Sequence, residues 1–345
     1  MTRFFVPEPL SSVAVHPLVA FRFGADVPWR GPFIKNVASD FFEKDVVYVE
    51  RPEDADAILL PNNFTVSNAE TDIYIQRYAD EAQEKGIPLY LFSFSDFSDG
   101  LVFEPRAKVF RLSVYRSTKR PQDIIVPTVA EEFGPESVVL RKKASIPTVS
   151  FCGFAGFKTT LQWVKYGLKN LFWEFRALGR PPLRARKQGV YWRRAAMRVL
   201  THSALVKTHF IVRRSFSGAL RTIELPPEQA RKEFIDSIIE SDFVLTPKGD
   251  GNYSNRFLEV LSLGRIPVII DTDTILPFED RIDYSKIVVR VPMEHIANTA
   301  QYIREFYDAL SEEEWKSRQE LAYETFEKYL RQDAFFRAFF SRVVR

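Results

Sequence analysis

The sequence predicts an α/β protein made of two successive units, each a parallel sheet covered by helices. Three observations predict it. Apolar runs of strand length alternate with amphipathic runs of helix length through the first 145 residues, a second series of the same kind begins at Thr148, and the stretch between them, 130–147, is polar and rich in breakers. A chain of 345 residues has room for two such domains, each with a core of its own. The expected division is 1–145 and 146–325.

In the first unit, 46–49 and 57–61 read as strands, 71–85 as a helix followed by Gly86 at the position of a C-terminal cap, and 88–93 as a strand. Shorter strands near 108–112 and 123–126 continue the series. The second unit opens with a strand at 148–152, passes through a basic helical region over 158–206, and resumes with a strand at 208–212. Pro226 and Pro227 start a helix over 227–240, whose stripe is Phe234, Ile235, Ile238 and Ile239. A strand at 242–246, a Gly-containing loop, a helix at 255–263 closed by Gly264 and a strand at 266–271 follow. The block 294–306 and a long helix over 312–331 finish this unit. In sheets of this kind ligands sit beyond the carboxyl ends of the strands, which directs attention to the loops after Ser93, Thr246 and Asp271.

Composition excludes several classes. The single cysteine, Cys152, rules out a disulfide framework and any multi-Cys zinc site. The start, MTRFFVPEPLSS, has no long apolar signal core, and no uncharged apolar run reaches the length of a membrane span. These features predict a cytoplasmic protein, peripheral at most to the inner face of a membrane. The net charge of +3 conceals an asymmetry: from Arg141 to Arg221 there are 18 Lys/Arg and one acid, Glu174, so this segment carries +17 and the rest of the chain −14. The same block holds Trp163, Tyr166, Phe172, Trp173, Tyr191 and Trp192, so it is not a plain solvated run.

The most informative stretch is 242–280, DFVLTPKGDGNYSNRFLEVLSLGRIPVIIDTDTILPFED. An apolar strand leads into Lys248, Gly249 and Gly251, and Ser254 or Asn255 then caps a short helix. Glycines let a backbone pass close to a ligand, and a helix N-terminus offers free N–H groups with partial positive charge. Arg256 adds a bidentate cation in the first turn, suited to a diphosphate. Glu259, three residues on, lies on the same face with a carboxylate suited to ribose hydroxyls. The same residues also read as a plain turn and a surface ion pair, and the pattern alone leaves both readings open.

This stretch resembles the carboxy-terminal signature of the exostosin-like glycosyltransferases, glycosyltransferase family 47. The elements that carry the likeness are Ser241-Asp242-Phe243, Pro247 to Gly249, Ser254 to Glu259, Gly264 to Asp271, and Pro277-Phe278. Weaker echoes are the Asp-Ala-Ile-Leu-Leu-Pro run at 56–61, Ser-Phe-Ser-Asp-Phe at 93–97, Asp-Ile-Ile-Val-Pro at 123–127 and Ser-Phe-Cys-Gly at 150–153, so the likeness covers roughly 45–310. It implies a GT-B fold, two Rossmann-like domains with parallel sheets facing a central cleft, and an aromatic-rich terminal helix, 326–345, that packs back on the first domain. It also implies an inverting transfer from a nucleotide-sugar, a UDP-sugar, bound mainly by the second domain, to a glycan, lipopolysaccharide-type or other glycoconjugate acceptor.

On that reading the α-helix at 255–263 and Arg256 stabilise the leaving diphosphate, Lys248, Gly249, Gly251, Ser254 and Asn255 line its site, and Glu259 holds the ribose. The first domain supplies the base that takes the acceptor proton. Asp96 is the choice because it follows the strand ending at Ser93 and occupies the Asp of the family's His-Asp-Trp-Gly position, although Ser95 stands here for the His. Asp99, Asp26 and His16 are its rivals, and Asp96 also reads as a turn cap. Asp271-Thr272-Asp273 has the form of a metal-binding Asp-x-Asp, but with phosphate charge already covered, no catalytic metal or tightly bound cofactor is expected. His16, His202, His209 and His295 lack ligand spacing.

The basic aromatic block has three readings: helices lying on an anionic membrane, a groove for an anionic glycan or lipid-linked acceptor, or a solvated helix pair with its aromatics in the core. No nucleic-acid motif accompanies its charge, so nucleic acid is not an expected partner. The alternative to an enzyme is a non-catalytic module that binds a glycan or an anionic membrane on a degenerate GT-B fold.

Overall fold

The computed structural model describes residues 1–24, 40–97, 100–131, 133–216 and 223–341. The first domain contains β1 (Thr2–Phe5), α1 (Phe41–Lys44), β2 (Val46–Val49), β3 (Ala57–Asn63), α2 (Ala69–Lys85), β4 (Leu89–Ser93), β5 (Ala107–Arg111) and β6 (Asp123–Ile125). Its six strands form one parallel sheet in the order β2-β1-β3-β4-β5-β6. The second domain contains β7 (Thr148–Phe154), α3 (Thr160–Arg176), α4 (Gly189–Thr201), β8 (Lys207–Arg213), α5 (Pro227–Ile239), β9 (Phe243–Leu245), α6 (Asn255–Ser262), β10 (Ile266–Asp271), β11 (Val289–Pro292), α7 (Thr299–Asp308) and α8 (Glu312–Thr325). Its sheet is again all parallel, in the order β11-β10-β9-β7-β8. The chain ends on α9 (Gln332–Phe340). Two Rossmann-like domains with parallel sheets whose carboxyl ends meet at a cleft make this a GT-B fold.

Local chemistry sets the elements. Helix α2 begins two residues earlier than its apolar pattern suggests, because Asn68 and Thr71 cap each other reciprocally: Thr71 N–H donates to Asn68 Oδ1 at 3.0 Å and Asn68 N–H to Thr71 Oγ1 at 2.9 Å. Its buried stripe, Ile75, Tyr78, Ala79 and Ala82, covers Ile58, Leu60, Leu89 and Leu91 of the sheet. Two strands go beyond the periodicity reading. Strand β1 is four residues long, pairs with β2 and β3, and buries only Thr2 and Phe4, while β11 pairs with β10 over four residues. Strands this short hold too few alternations to stand out in sequence. The expected helix over 312–331 is broken: α8 passes into a π-helical turn, Phe326–Leu330, where Arg331 N–H reaches back five residues to Phe326 O at 2.8 Å. Arg331 itself is extended, with ψ 136°, and α9 starts afresh.

Helix α9 joins the two domains. On one side Phe336 and Phe340 pack against Phe41, Phe42 and Phe110, with the Phe336–Phe42 ring centroids 4.8 Å apart and Phe340 stacked on Phe41 at 5.5 Å. On the other, Phe335 stacks on Phe278 of the second domain at 4.5 Å, and Arg281 donates to Ala338 O. Arg337 pairs with Asp45 at 2.7 Å.

At the cleft the segment after β5 docks on the second domain. Tyr115 bridges antiparallel to Thr274, Arg116 N–H donates to Asp273 O at 2.8 Å, and Arg116 also pairs with Glu279 at 2.7 Å. The carboxyl ends of both sheets are thereby held against each other at the loop after β9.

Candidate functional site

The loop after β9, residues 246–254, lies between three structures: the N-terminus of α4, the end of β7, and the first-domain segment 112–118. Its fold is set partly by its own backbone, since Gly249 N–H donates to Tyr253 O at 2.8 Å. The rest is set by contacts. Asn252 is buried; its N–H donates to Ser113 Oγ at 2.8 Å, its side-chain amide to Val114 O and Asp273 O, and its Oδ1 accepts from Thr272. Lys248 is also buried and donates to Tyr115 Oη at 2.8 Å. Gly189, the first residue of α4, touches the loop so closely that a Cβ there would fall 2.3 Å from Lys248 O.

The predicted residues divide between two sides of this loop. Lys248 and Ser254 face an interdomain pocket, together with Leu112 and Val126 of the first domain and Ile270 and Leu276 of the second. Ser254 occupies the N-cap position of α6, but its hydroxyl makes no capping bond; only its carbonyl enters the helix, accepting from Phe257 N–H. A cap by Asn255 is likewise not what forms, because Asn255 is already the first helical residue, and it is exposed.

Arg256 turns the other way, toward the end of β7. Its Nη2 donates to Cys152 O at 2.8 Å, its guanidinium lies over the Phe151 ring at 4.3 Å, and its Nε has no partner. Gly153 makes the space, since a Cβ there would sit 2.6 Å from Arg256 Nη2. Cys152, whose carbonyl receives the bond, is itself a buried free thiol.

A second cation at this place was not among the sequence candidates. Arg193 of α4 donates to Phe154 O at 3.0 Å and to Lys248 O at 3.2 Å, and its Nε is also unpartnered. Burial, added to by the charge of Arg256, lowers its pKa to about 10, and burial lowers that of Arg256 in the same direction. Among the described residues no carboxylate pairs with either guanidinium. The sequence did mark Arg193 as part of the basic block, but only the docking of α4 on β7 selects it from 18 Lys/Arg.

Glu259 is buried and bonded: its Oε1 accepts from Arg231 Nη1 at 2.8 Å, and Arg231 also pairs with Glu131 from the interdomain segment. The network ties α5, α6 and the linker together, and puts Arg231 on the carboxylate expected to face a ribose.

Asp96 reaches the loop from the first domain. It is half-buried and lies with the Tyr253 ring beside Gly251, where a Cβ would come 2.9 Å from Asp96 Oδ1 and 2.7 Å from Tyr253 Cε1. Burial, with the Asp96 charge, pushes the Tyr253 phenol far up. In the same turn Ser95 Oγ accepts from Phe97 N–H. Of the rival bases, His16 is buried and stacked on Phe92 at 3.9 Å, its Nδ1 accepts from Leu18 N–H, and burial lowers its pKa to about 3. Asp26 and Asp99 lie outside the described residues. In the Asp-x-Asp, Asp271 pairs with Arg290 at 3.1 Å and accepts from Thr274 N–H, while Asp273 accepts from the backbone and hydroxyl of Ser117 across the cleft.

The fold thus defines a GT-B protein whose second-domain loop collects cations, a helix N-terminus and a first-domain carboxylate. Residues 192–306, which include Arg193, the loop, α6 and β10, match the family described as Exostosin GT47 domain. Over that third of the chain the sequence is similar to the exostosins. It is 34% identical over 104 residues to the Exostosin-1 homolog of Caenorhabditis elegans, covering 30% of this chain and 26% of that protein. It is 37% identical over 62 residues to Exostosin-1 of Drosophila melanogaster, covering 18% of this chain and 8% of that one. The chain therefore spans about a quarter or less of the length of these relatives. A solved glycosyltransferase from Rickettsia africae aligns over 99% of this chain and 97% of its own with 10% identity and a TM-score of 0.36.

Proposed function

We propose that the protein is an inverting glycosyltransferase that moves a sugar from a nucleotide-sugar, a UDP-sugar, to a glycan or other glycoconjugate acceptor. One observation carries the reading. Arg193 and Arg256 are held side by side at the carboxyl end of β7, beside the N-terminus of α6; among the described residues no carboxylate is in contact with either, Asp250 and Glu259 acting on them only from beyond ion-pair distance. Two adjacent, partly buried like charges with no carboxylate in contact are costly, and a diphosphate supplies an anion that can touch both. The donor's diphosphate lies on these two guanidiniums and on the free N–H groups of the first turn of α6, the ribose against Glu259 as oriented by Arg231, and the sugar toward the loop at Gly249 and Gly251.

Asp96 then takes the proton from the acceptor hydroxyl as that oxygen attacks the anomeric carbon from the face opposite the diphosphate. The C–O bond to the leaving phosphate breaks as the new glycosidic bond forms, and its negative charge passes to Arg193 and Arg256. Tyr253 stands beside Asp96 and shields that side of the carboxylate from solvent.

The test is thermal stabilisation by UDP, GDP, ADP, CMP and their sugar conjugates. One nucleotide should stabilise the protein; Arg256→Ala and Arg193→Ala should each abolish most of that shift, and Asp96→Asn should keep the shift but lose turnover by about 100-fold or more. No stabilisation by any nucleotide in a folded protein, or shifts unchanged in both arginine variants, would overturn the reading and favour a non-catalytic binding module.

A further inference from the structure

The basic block contains a second feature that the transfer reading does not use. Helix α3 packs on the domain through Tyr166, Asn170, Trp173 and Ala177, and only the last of these and Asn170 are fully buried. On the opposite side Leu161, Val164, Leu168, Leu171, Phe175 and, just past the helix, Leu178 are 41% to 74% exposed. Their spacing alternates three and four, which puts all six on one face of a helix. Single exposed apolar residues are ordinary; six in one continuous stripe mark a surface with an occupant.

The charge around the stripe selects the occupant. Lys165, Lys169 and Arg176 run exposed along one edge of it. From 158 to 187 there are eight Lys/Arg and one acid, Glu174, and that acid is already taken by Lys187 and Arg184 of the following turn. A second copy of the chain would set cation against cation along this seam. An anionic bilayer offers both the apolar layer and the negative surface. With 17 residues and a charged edge α3 cannot cross a membrane, and among the described residues no helix is long and apolar enough to do so. Trp163 and Phe172, 56% and 54% exposed, add the aromatic side chains suited to the headgroup layer.

We infer that α3 is an in-plane anchor by which the protein adsorbs to anionic membranes, the apolar stripe inserted and the basic edge on the headgroups. The anchor is coupled to the loop after β9 through a short path: Lys187 pairs with Glu174 of α3, Arg186 lies 4.5 Å over the Tyr115 ring, and Gly189 touches Lys248 and Gly249. Adsorption through α3 therefore orients the cleft with respect to the bilayer. Membrane binding itself stands apart from the transfer reading; the orientation of a lipid-linked acceptor rests on it.

Flotation with phosphatidylcholine vesicles, with and without phosphatidylglycerol, tests the inference on the full chain. The wild type should float with the phosphatidylglycerol vesicles and much less with pure phosphatidylcholine. Leu168→Glu/Phe175→Glu should weaken binding by at least about tenfold, and Lys165→Glu/Lys169→Glu should remove the preference for anionic lipid. All four positions are exposed, so melting temperature and nucleotide-dependent stabilisation, measured on the same variants, should stay at wild-type values; this separates failure of the anchor from failure of the donor site. A wild type that stays with the soluble fraction would overturn the inference. So would binding left intact by Leu168→Glu/Phe175→Glu, or light scattering that shows a dimer dissolved by that pair, which would make the stripe an interface between copies.

Discussion

Gly153 decides whether Arg256 can lie at the end of β7. Its φ of +154° is one that residues with a Cβ rarely adopt, and the added Cβ would meet the guanidinium at 2.6 Å. Gly153→Ala therefore has two consequences, a backbone cost of about 1–3 kcal/mol and displacement of the arginine from Cys152 O and the Phe151 ring. The domain should still fold, because the clash is with the far end of a long side chain. Nucleotide-dependent stabilisation should fall to the level of Arg256→Ala, with a modest drop in melting temperature for the unliganded protein. Full nucleotide stabilisation in this variant would mean that Arg256 holds the donor from another position, and that the contact with β7 is incidental. The same reasoning explains a residue that a motif alone leaves unaccounted for: the glycine of Ser150-Phe151-Cys152-Gly153 serves an arginine a hundred residues away in the chain.

At the scale of elements, the informative unit is β9, its loop and α6, and much of it is legible because it is local. Glycines after an apolar strand and an arginine in the first turn of the following helix are neighbours in sequence as well as in space. What is not legible comes from docking. Arg193 reaches the site because α4 lies across the end of β7, and the hydroxyl of Ser254 is left uncapped by the path of the chain, neither of which a spacing encodes. Likewise β1 and β11 are held by pairing with neighbouring strands, and the π turn at Phe326–Leu330 stands where the chain leaves α8 for α9, a break that no residue spacing marks. Gly189 brings the docking of α4 to a single position. A methyl there would fall 2.3 Å from Lys248 O and 2.4 Å from Gly249 O, both backbone atoms that cannot step aside alone. Gly189→Ala should push α4 from the loop at an overpacking cost of about 1–3 kcal/mol, and it should weaken nucleotide stabilisation even though Arg193 and Arg256 are unchanged. Hydrogen exchange would report the loosening as faster exchange at Gly249 and Asn252. A variant with wild-type melting and exchange would show that the loop does not depend on α4.

The whole molecule depends on α9 as a strap. Its sequence, AlaPhePheArgAlaPhePhe at 334–340, places aromatics on opposite sides of a short helix, so that Phe335 meets Phe278 of the second domain while Phe336 and Phe340 enter the core of the first. The two domains also share polar contacts at the cleft, Arg116 with Glu279 and Ser117 with Asp273, but these are wholly or partly exposed and contribute less than buried aromatic area does. Phe336 is 1% exposed and touches Phe41, Phe42 and Phe110, so Phe336→Ala should cost about 3–5 kcal/mol. Where that loss appears distinguishes a strap from a bystander. If α9 couples the domains, wild-type protein unfolds in one calorimetric transition, and Phe336→Ala splits it, with the first domain melting early and the second, still holding Phe335 on Phe278, melting near the original temperature. Nucleotide should then raise only the later transition, because Arg193, Arg256 and Glu259 all belong to the second domain. A single transition that merely shifts down would place the coupling at the cleft contacts, and two transitions already present in the wild type would mean that the domains are stable independently and α9 joins them without making them cooperate.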